Sequence, residues 1–122
     1  MATRALWAPE RADVIWINHS PSVAAEVPDL HPMLVASPLA FNKRTGIVIG
    51  FPMTHSAQHA DNPFAVNVQG PKGDAYIVAN QPKSFDWRAR GAKPHPWGGG
   101  HHAKLSETLE ILDQICAICQ NG

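Results

Sequence analysis

Short apolar runs, each closed by proline, glycine or a polar cluster, set the rhythm of this chain. Residues 14–18, Val-Ile-Trp-Ile-Asn, are rich in β-branched and aromatic side chains and run into His19-Ser20-Pro21, which predicts a strand entering a loop. Residues 20–30 carry Pro21, Glu26, Pro28 and Asp29 without sustained periodicity. Loops of that length in compact domains commonly carry function. A second strand is expected at 33–36, closed by Ser37-Pro38. Residues 41–46, Phe-Asn-Lys-Arg-Thr-Gly, have the polar, glycine-ended character of a turn. The apolar run 47–51 then suits a strand buried on both faces and ended by Pro52.

Residues 54–62 read as a second polar loop, and the alternation over 64–68 as a strand. Gly70-Pro71-Lys72-Gly73-Asp74 makes a tight connection to a strand at 75–79, a hairpin. Over 84–92, Phe85 and Trp87 stand two apart as on a strand, interleaved with Arg88 and Arg90; residues 94–102 are too rich in Pro and Gly for regular structure. A helix is expected over about 106–120. Ser106 is its N-cap, Glu107 lies in its first turn, and Leu109, Leu112, Cys116 and Cys119 repeat at helical spacing, widened by Ile111, Ile115 and Ile118. The sum is one mostly β domain, 1–122: a small antiparallel barrel of five to seven strands, a loop at 93–105 and a C-terminal helix.

Composition narrows the function. A chain of 122 residues supports a single core, and 44% hydrophobic residues argue against disorder of the whole. Ten Lys plus Arg balance ten Asp plus Glu, which excludes a globally basic nucleic-acid coat and leaves any polyanion site local. Eleven prolines and nine glycines leave little room for a long helix before the last segment. Cys116 and Cys119, the only cysteines, cannot form a long-range staple; they are expected to be small core residues of a protein kept in the reducing cytoplasm. The first residues lack the apolar stretch of a secretory signal, and no window approaches the roughly 20 apolar residues that span a bilayer, so no membrane role is expected.

Three constellations carry candidate chemistry. Glu26 and His31, five apart around the long loop, pair a carboxylate with an imidazole whose ordinary pKa values straddle the range used for base and acid near neutrality. Loop residues of these types are also common solvated surface groups. Thr54, His55 and Ser56 emerge at the end of the most apolar strand, where hydroxyls and an imidazole would be held rigidly enough to grip a phosphate; a strand-ending turn bonded to its own backbone is the alternative. Residues 81–93 hold four of the ten basic residues, with Phe85 and Trp87 among them. That composition suits RNA backbone contact with base stacking, and equally a protein interface anchored by Trp and Arg. His101 and His102, flanked by glycine, have no recognisable metal-ligand spacing with the cysteines.

The ordered motifs resemble the PemK/MazF family of toxin endoribonucleases. The matching stretches are Ala12-Asp13-Val14-Ile15-Trp16-Ile17, His31-Pro32-Met33-Leu34-Val35-Ala36-Ser37-Pro38, Phe41-Asn42-Lys43-Arg44-Thr45-Gly46, Pro52-Met53-Thr54, and above all Gln81-Pro82-Lys83-Ser84-Phe85-Asp86-Trp87-Arg88-Ala89-Arg90. The core motifs span 10–92. The resemblance implies an SH3-like barrel of the PemK/MazF/CcdB type and a homodimer whose concave face grips single-stranded RNA. It further implies sequence-specific cleavage through 2′-hydroxyl attack with no metal or other cofactor, hence mRNA interferase activity that inhibits translation. By the same resemblance Glu26 is the general base and Thr54 bonds the phosphate. His31 stands where the family usually has an arginine, so its stabilisation of the phosphorane depends on protonation. Asn80 stands where many members have an aspartate, and an amide cannot act as a base. His55, Ser56, Asn80, Gln81, Lys83 and Arg88 are the expected substrate contacts. The implied partner is a cognate antitoxin with an acidic, partly disordered C-terminal segment, operator DNA being reached only through it. Alternative readings on the same barrel are a CcdB-like, non-enzymatic toxin that binds DNA gyrase, and a member without catalysis that only binds an antitoxin.

Overall fold

The third strand organises the molecule. The computed structural model describes residues 7–20, 29–70 and 73–121, with side chains as far as residue 117. It contains β1 (Val14–Asn18), β2 (Leu30–Val35), helix α1 (Leu39–Thr45), β3 (Ile47–Thr54), β4 (Ala65–Gly70), β5 (Gly73–Val78), β6 (Lys83–Asp86), β7 (Lys93–Pro94) and helix α2 (His102–Asn121). The strands pair antiparallel in the order β4-β5-β3-β2-β1-β7, and β6 joins β3 off that path. β3 thus serves three partners: β2 across 50–52, β6 along 47–50 and β5 at 53–54. This seven-stranded sheet with a C-terminal helix is the mostly β architecture expected.

The two faces of the bent sheet bury separate clusters, which explains the near-continuous apolar runs. Val14, Leu34, Phe51, Met53, Val66 and Ile77 pack beneath α2 with Leu105. Ile15, Ile17, Met33, Val35 and Val48 pack on the other side with Trp87. Where β2 and β3 run together, a Cβ on Gly50 would stand 2.2 Å from the carbonyl oxygen of Leu34, so only glycine permits that approach.

Several boundaries differ from the expectation. Pro52 does not end β3. It pairs with Met33 and lies on the other edge between the segments held by β6 and β5, where no ladder donor is called for. Nor is β3 buried on both faces throughout, since Ile49 is 39% exposed. Residues 39–45 form a short helix rather than a turn. Pro38 precedes it, Lys43 and Arg44 complement the dipole of its last turn, and Gly46 caps it at φ +75°. Asn42 is fully buried there; its amide donates to the carbonyls of Pro9 (2.8 Å) and Ser37 (3.0 Å).

The expected loop 93–105 contains β7, which pairs with β1, and the first turn of α2. α2 starts at His102, so Ser106 lies inside the helix and is not its N-cap. Packing moves the start forward: Leu105 is buried, and Lys104 donates from Nζ to the carbonyl of Asn67 on β4 at 3.0 Å. The inward face of α2 runs through Leu105, Thr108, Ile111 and Leu112. Leu109 is 41% exposed and Cys116 is an exposed free thiol, so Cys116 is not a core residue; Cys119 lies beyond the described side chains. The segment before α2 has a packing role, with Trp97 lying against Gly70, where an added Cβ would meet its ring at 2.2 Å. No helix among the described residues is long and apolar enough to cross a membrane.

Candidate active site

Strand register brings His31 and Thr54, one residue from each of the first two constellations, to one place. Asn18 on β1 faces Leu30 on β2, and Ile17 faces His31. The buried Asn18 side chain accepts the N–H groups of Ser20 and Asp29, each at 2.9 Å, and the His19 N–H donates to the Asp29 carbonyl at 2.8 Å. The β2–β3 register, with Met33 opposite Pro52, sets His31 opposite Thr54 when continued by two residues. Pairing of Gly50 with Lys83 brings β6 alongside. The result is a cavity of about 230 Å³ lined by His19, His31, Thr54, His59, Gln81 and Lys83, over the apolar Pro52, Met53 and Val78.

His31, Thr54, His19 and His59 are each held by a neighbouring polar group. His31 Nε2 lies 2.7 Å from Asp29 Oδ1, and among the described residues its Nδ1 has no hydrogen-bond partner. Thr54 Oγ1 accepts the Ser56 N–H at 3.1 Å, so its own proton remains available to donate. His19 Nδ1 lies 3.0 Å from the Ile17 carbonyl, and its ring meets His31 edge-on with centroids 5.7 Å apart. His59 Nδ1 lies 3.2 Å from the Asn62 amide. The Lys83 ammonium, the Thr54 hydroxyl and the imidazoles give the cavity one fixed positive charge and several hydrogen-bonding groups, a lining suited to a phosphate.

Of the residues singled out in the sequence, the cavity gathers His31, Thr54, Gln81 and Lys83. Glu26 lies outside the described residues. Asn80 is exposed in the β5–β6 turn and does not line the cavity. Ser56 precedes a short 3₁₀ turn at Ala57–His59. His55 faces a different hollow with Ala57, Asp74 and Tyr76, its Nδ1 3.0 Å from the Asp74 carbonyl. Arg88 lies elsewhere again, beside Trp7, Lys43 and Trp87; its guanidinium sits 4.6 Å over the Trp87 ring and donates to the Lys43 carbonyl at 3.1 Å. Trp87 itself is buried and donates from Nε1 to the Asn42 carbonyl at 2.7 Å, so it is no free stacking platform.

The residues that sequence reasoning missed are Asp29, His19 and His59. Asp29 precedes His31 by two, the period that puts two side chains on one face of a strand, so its partnership with the imidazole was open to detection. His19 becomes a site residue only through the β1–β2 register.

Comparison with known proteins identifies the family and the fold. Residues 10–116 match the family described as PemK-like, MazF-like toxin of type II toxin-antitoxin system. The endoribonuclease toxin MazF of Escherichia coli K12 is 36% identical over 86 residues, which cover 70% of this chain and 76% of that protein. The endoribonuclease PemK of Escherichia coli is 29% identical over 114 residues, covering 89% and 80%. Among solved structures, MazF from Deinococcus radiodurans superposes with a TM-score of 0.76 at 28% identity, covering 91% of this chain and 98% of that one. A MazE-MazF structure from the same organism gives a TM-score of 0.73 at 25% identity, covering 90% and 96%. With a family match across nearly the whole chain and the fold reproduced, the chain belongs to the PemK-like, MazF-like toxin family of type II toxin–antitoxin systems and is, like these relatives, an endoribonuclease toxin.

Proposed function

We propose that the cavity between β2, β3 and β6 cleaves single-stranded RNA without a metal ion. The ribose 2′-hydroxyl attacks the adjacent phosphorus, a new O2′–P bond forms, and the P–O5′ bond breaks to leave a 2′,3′-cyclic phosphate and a 5′-hydroxyl. Such a reaction needs a base for the hydroxyl, an acid for the leaving oxygen and donors for the charged phosphorane. The carrying observation is that one cavity gathers His31, Thr54, Gln81 and Lys83.

Asp29 on Nε2 fixes the His31 ring, and the charged ring donates from Nδ1 to the leaving oxygen. Thr54 donates its hydroxyl proton to a phosphate oxygen, and Lys83 supplies a point charge. Gln81 offers an amide to the phosphate or base. The resemblance leaves the base to Glu26. An acidic antitoxin segment competing for the same cationic groups accounts for inhibition, and the toxin acts as a homodimer in the cytoplasm. The MazE-MazF structure of Deinococcus radiodurans supports such a partner.

The test is incubation of the purified protein with a short single-stranded RNA in EDTA, followed by mass analysis of the new ends. A cyclic phosphate is expected, with loss of roughly 100-fold in rate for His31→Ala and for Thr54→Ala. No cleavage by the parent, cleavage that disappears in EDTA, or undiminished cleavage by both variants overturns the proposal.

A further inference from the structure

The loop that leaves β3 holds His59 against the cavity through a run of turns. Thr54 Oγ1 accepts the Ser56 N–H at 3.1 Å, the His59 N–H donates to the Ser56 carbonyl at 3.2 Å, the Asn62 N–H to the His59 carbonyl at 3.1 Å, and the Ala65 N–H to the Asn62 carbonyl at 3.1 Å. These bonds fix His59 relative to Thr54, and both side chains line the cavity with His31, Gln81 and Lys83.

Hydrogen bonding also fixes where the His59 ring carries its proton. The Phe64 N–H donates to Asn62 Oδ1 at 2.9 Å, and a backbone N–H only donates, so the Asn62 amide is not free to turn over and its NH₂ end is the one that meets His59. His59 Nδ1, 3.2 Å from that nitrogen, therefore accepts, and the neutral ring keeps its proton on Nε2. Among the described residues Nε2 has no partner, and it is not sealed off: the one buried side-chain nitrogen without a partner there belongs to His19. His59 thus offers the cavity an open N–H donor that needs no charge on the ring.

We propose that the Nε2–H of His59 donates to a non-bridging oxygen of the scissile phosphate. This rests on the RNA-cleaving reading above and leaves proton transfer to Glu26 and His31. Negative charge grows on the non-bridging oxygens as the O2′–P bond forms, so a donor already held in place binds the phosphorane more strongly than the substrate and acts on kcat rather than on affinity. Thr54 and His59, tied to each other by the turns between them, then grip the phosphate as a pair of neutral donors beside the charge of Lys83.

The test measures cleavage of a short single-stranded RNA in EDTA by the parent, His59→Phe and His59→Gln, with the scissile phosphate unmodified or carrying sulfur in place of one or the other non-bridging oxygen. Phe keeps a ring without a donor, whereas Gln sets an amide N–H near the place of Nε2. His59→Phe is expected to lose roughly 100-fold in kcat while binding of a 2′-O-methyl RNA changes by less than about threefold, and His59→Gln to recover at least about tenfold of that loss. Sulfur is a weak acceptor, so one of the two sulfur-bearing RNAs is expected to slow the parent more than it slows His59→Phe. A kcat for His59→Phe within about threefold of the parent, or the same sulfur effect in both proteins, overturns the inference and leaves the RNA-cleaving reading standing. Failure of the parent to cut RNA overturns both. Melting temperatures report whether the variants fold, and a further readout needs neither variant nor activity: ¹⁵N shifts of the neutral ring are expected to show His59 protonated at Nε2 and bare at Nδ1, and the opposite tautomer overturns the assignment.

Discussion

Arg90 donates from Nη1 to the carbonyl of Ser20 at 2.6 Å, tying the turn after β6 to the chain just beyond β1. The same nitrogen reaches the Asn18 carbonyl at 3.1 Å. These bonds give part of the basic 81–93 stretch a structural task. Arg90→Ala is expected to lower stability by about 1.5 to 3 kcal/mol, the usual worth of hydrogen bonds from a charged group. It should leave the salt dependence of RNA binding unchanged. Lys83→Ala is expected to do the reverse, reducing the slope of log affinity against log salt by about 0.7 for one lost phosphate contact on a single strand. Urea unfolding and binding of an uncleavable RNA across salt concentrations separate the two; a shallower slope for Arg90→Ala with unchanged stability contradicts the assignment.

Asn42 is the polar centre of the second cluster. It accepts from the Ser37 hydroxyl, donates to two carbonyls, and lends its own carbonyl to Trp87. Asn42→Ala strands several buried groups at once and is expected to cost at least ~2 kcal/mol. Urea denaturation measures it, and a loss under about 0.5 kcal/mol, typical of a free surface site, contradicts a structural tie.

Gly70 and Trp97 form a second coupled pair, because an added Cβ would stand only 2.2 Å from the indole ring. Gly70→Ala is expected to cost about 1 to 3 kcal/mol by overpacking. In a Trp97→Ala background the same change should cost much less. A double-mutant cycle measures the coupling, and strict additivity rules the contact out as the cause.

Acid should destabilise the fold through two histidines. His19 is held below the ordinary imidazole value chiefly by burial, and His95 by burial and then by the charges of His55 and His101. His95 Nδ1 also accepts the Trp97 N–H at 3.1 Å, a bond that protonation would break. Both contributions are complete above the unfolded value of 6.5 and shrink as pH falls below it, because the unfolded chain then binds protons that the fold refuses. The melting temperature should decline between about pH 7.5 and 5.5, less steeply in His19→Phe and His95→Phe. A flat profile in the parent contradicts this.

Much of this was legible from local pattern. Apolar runs bounded by turn residues located the strands, and the motif order supplied His31, Thr54, Gln81 and Lys83. α1 was hidden because its polar surface resembles a turn, although Pro38 and Gly46 bracket it. Ser106 offered a local cap, yet burial of Leu105 outweighed it. The fates of Arg88 and Arg90 were not readable, since their carbonyl partners stand 45 and 70 residues away in sequence. His19 was overlooked for a related reason: it joins the cavity only through the register of β1 with β2.

The most direct measurement is the single-turnover cleavage rate of a short single-stranded RNA in EDTA, taken for the parent, Thr54→Ala and Arg88→Ala. Thr54 lines the cavity and Arg88 is spent on Trp87 and Lys43. Cleavage should fall by roughly 100-fold in Thr54→Ala and stay within about threefold of the parent in Arg88→Ala. Full activity in Thr54→Ala beside loss in a folded Arg88→Ala would place the chemistry on the other face of the molecule and contradict the site.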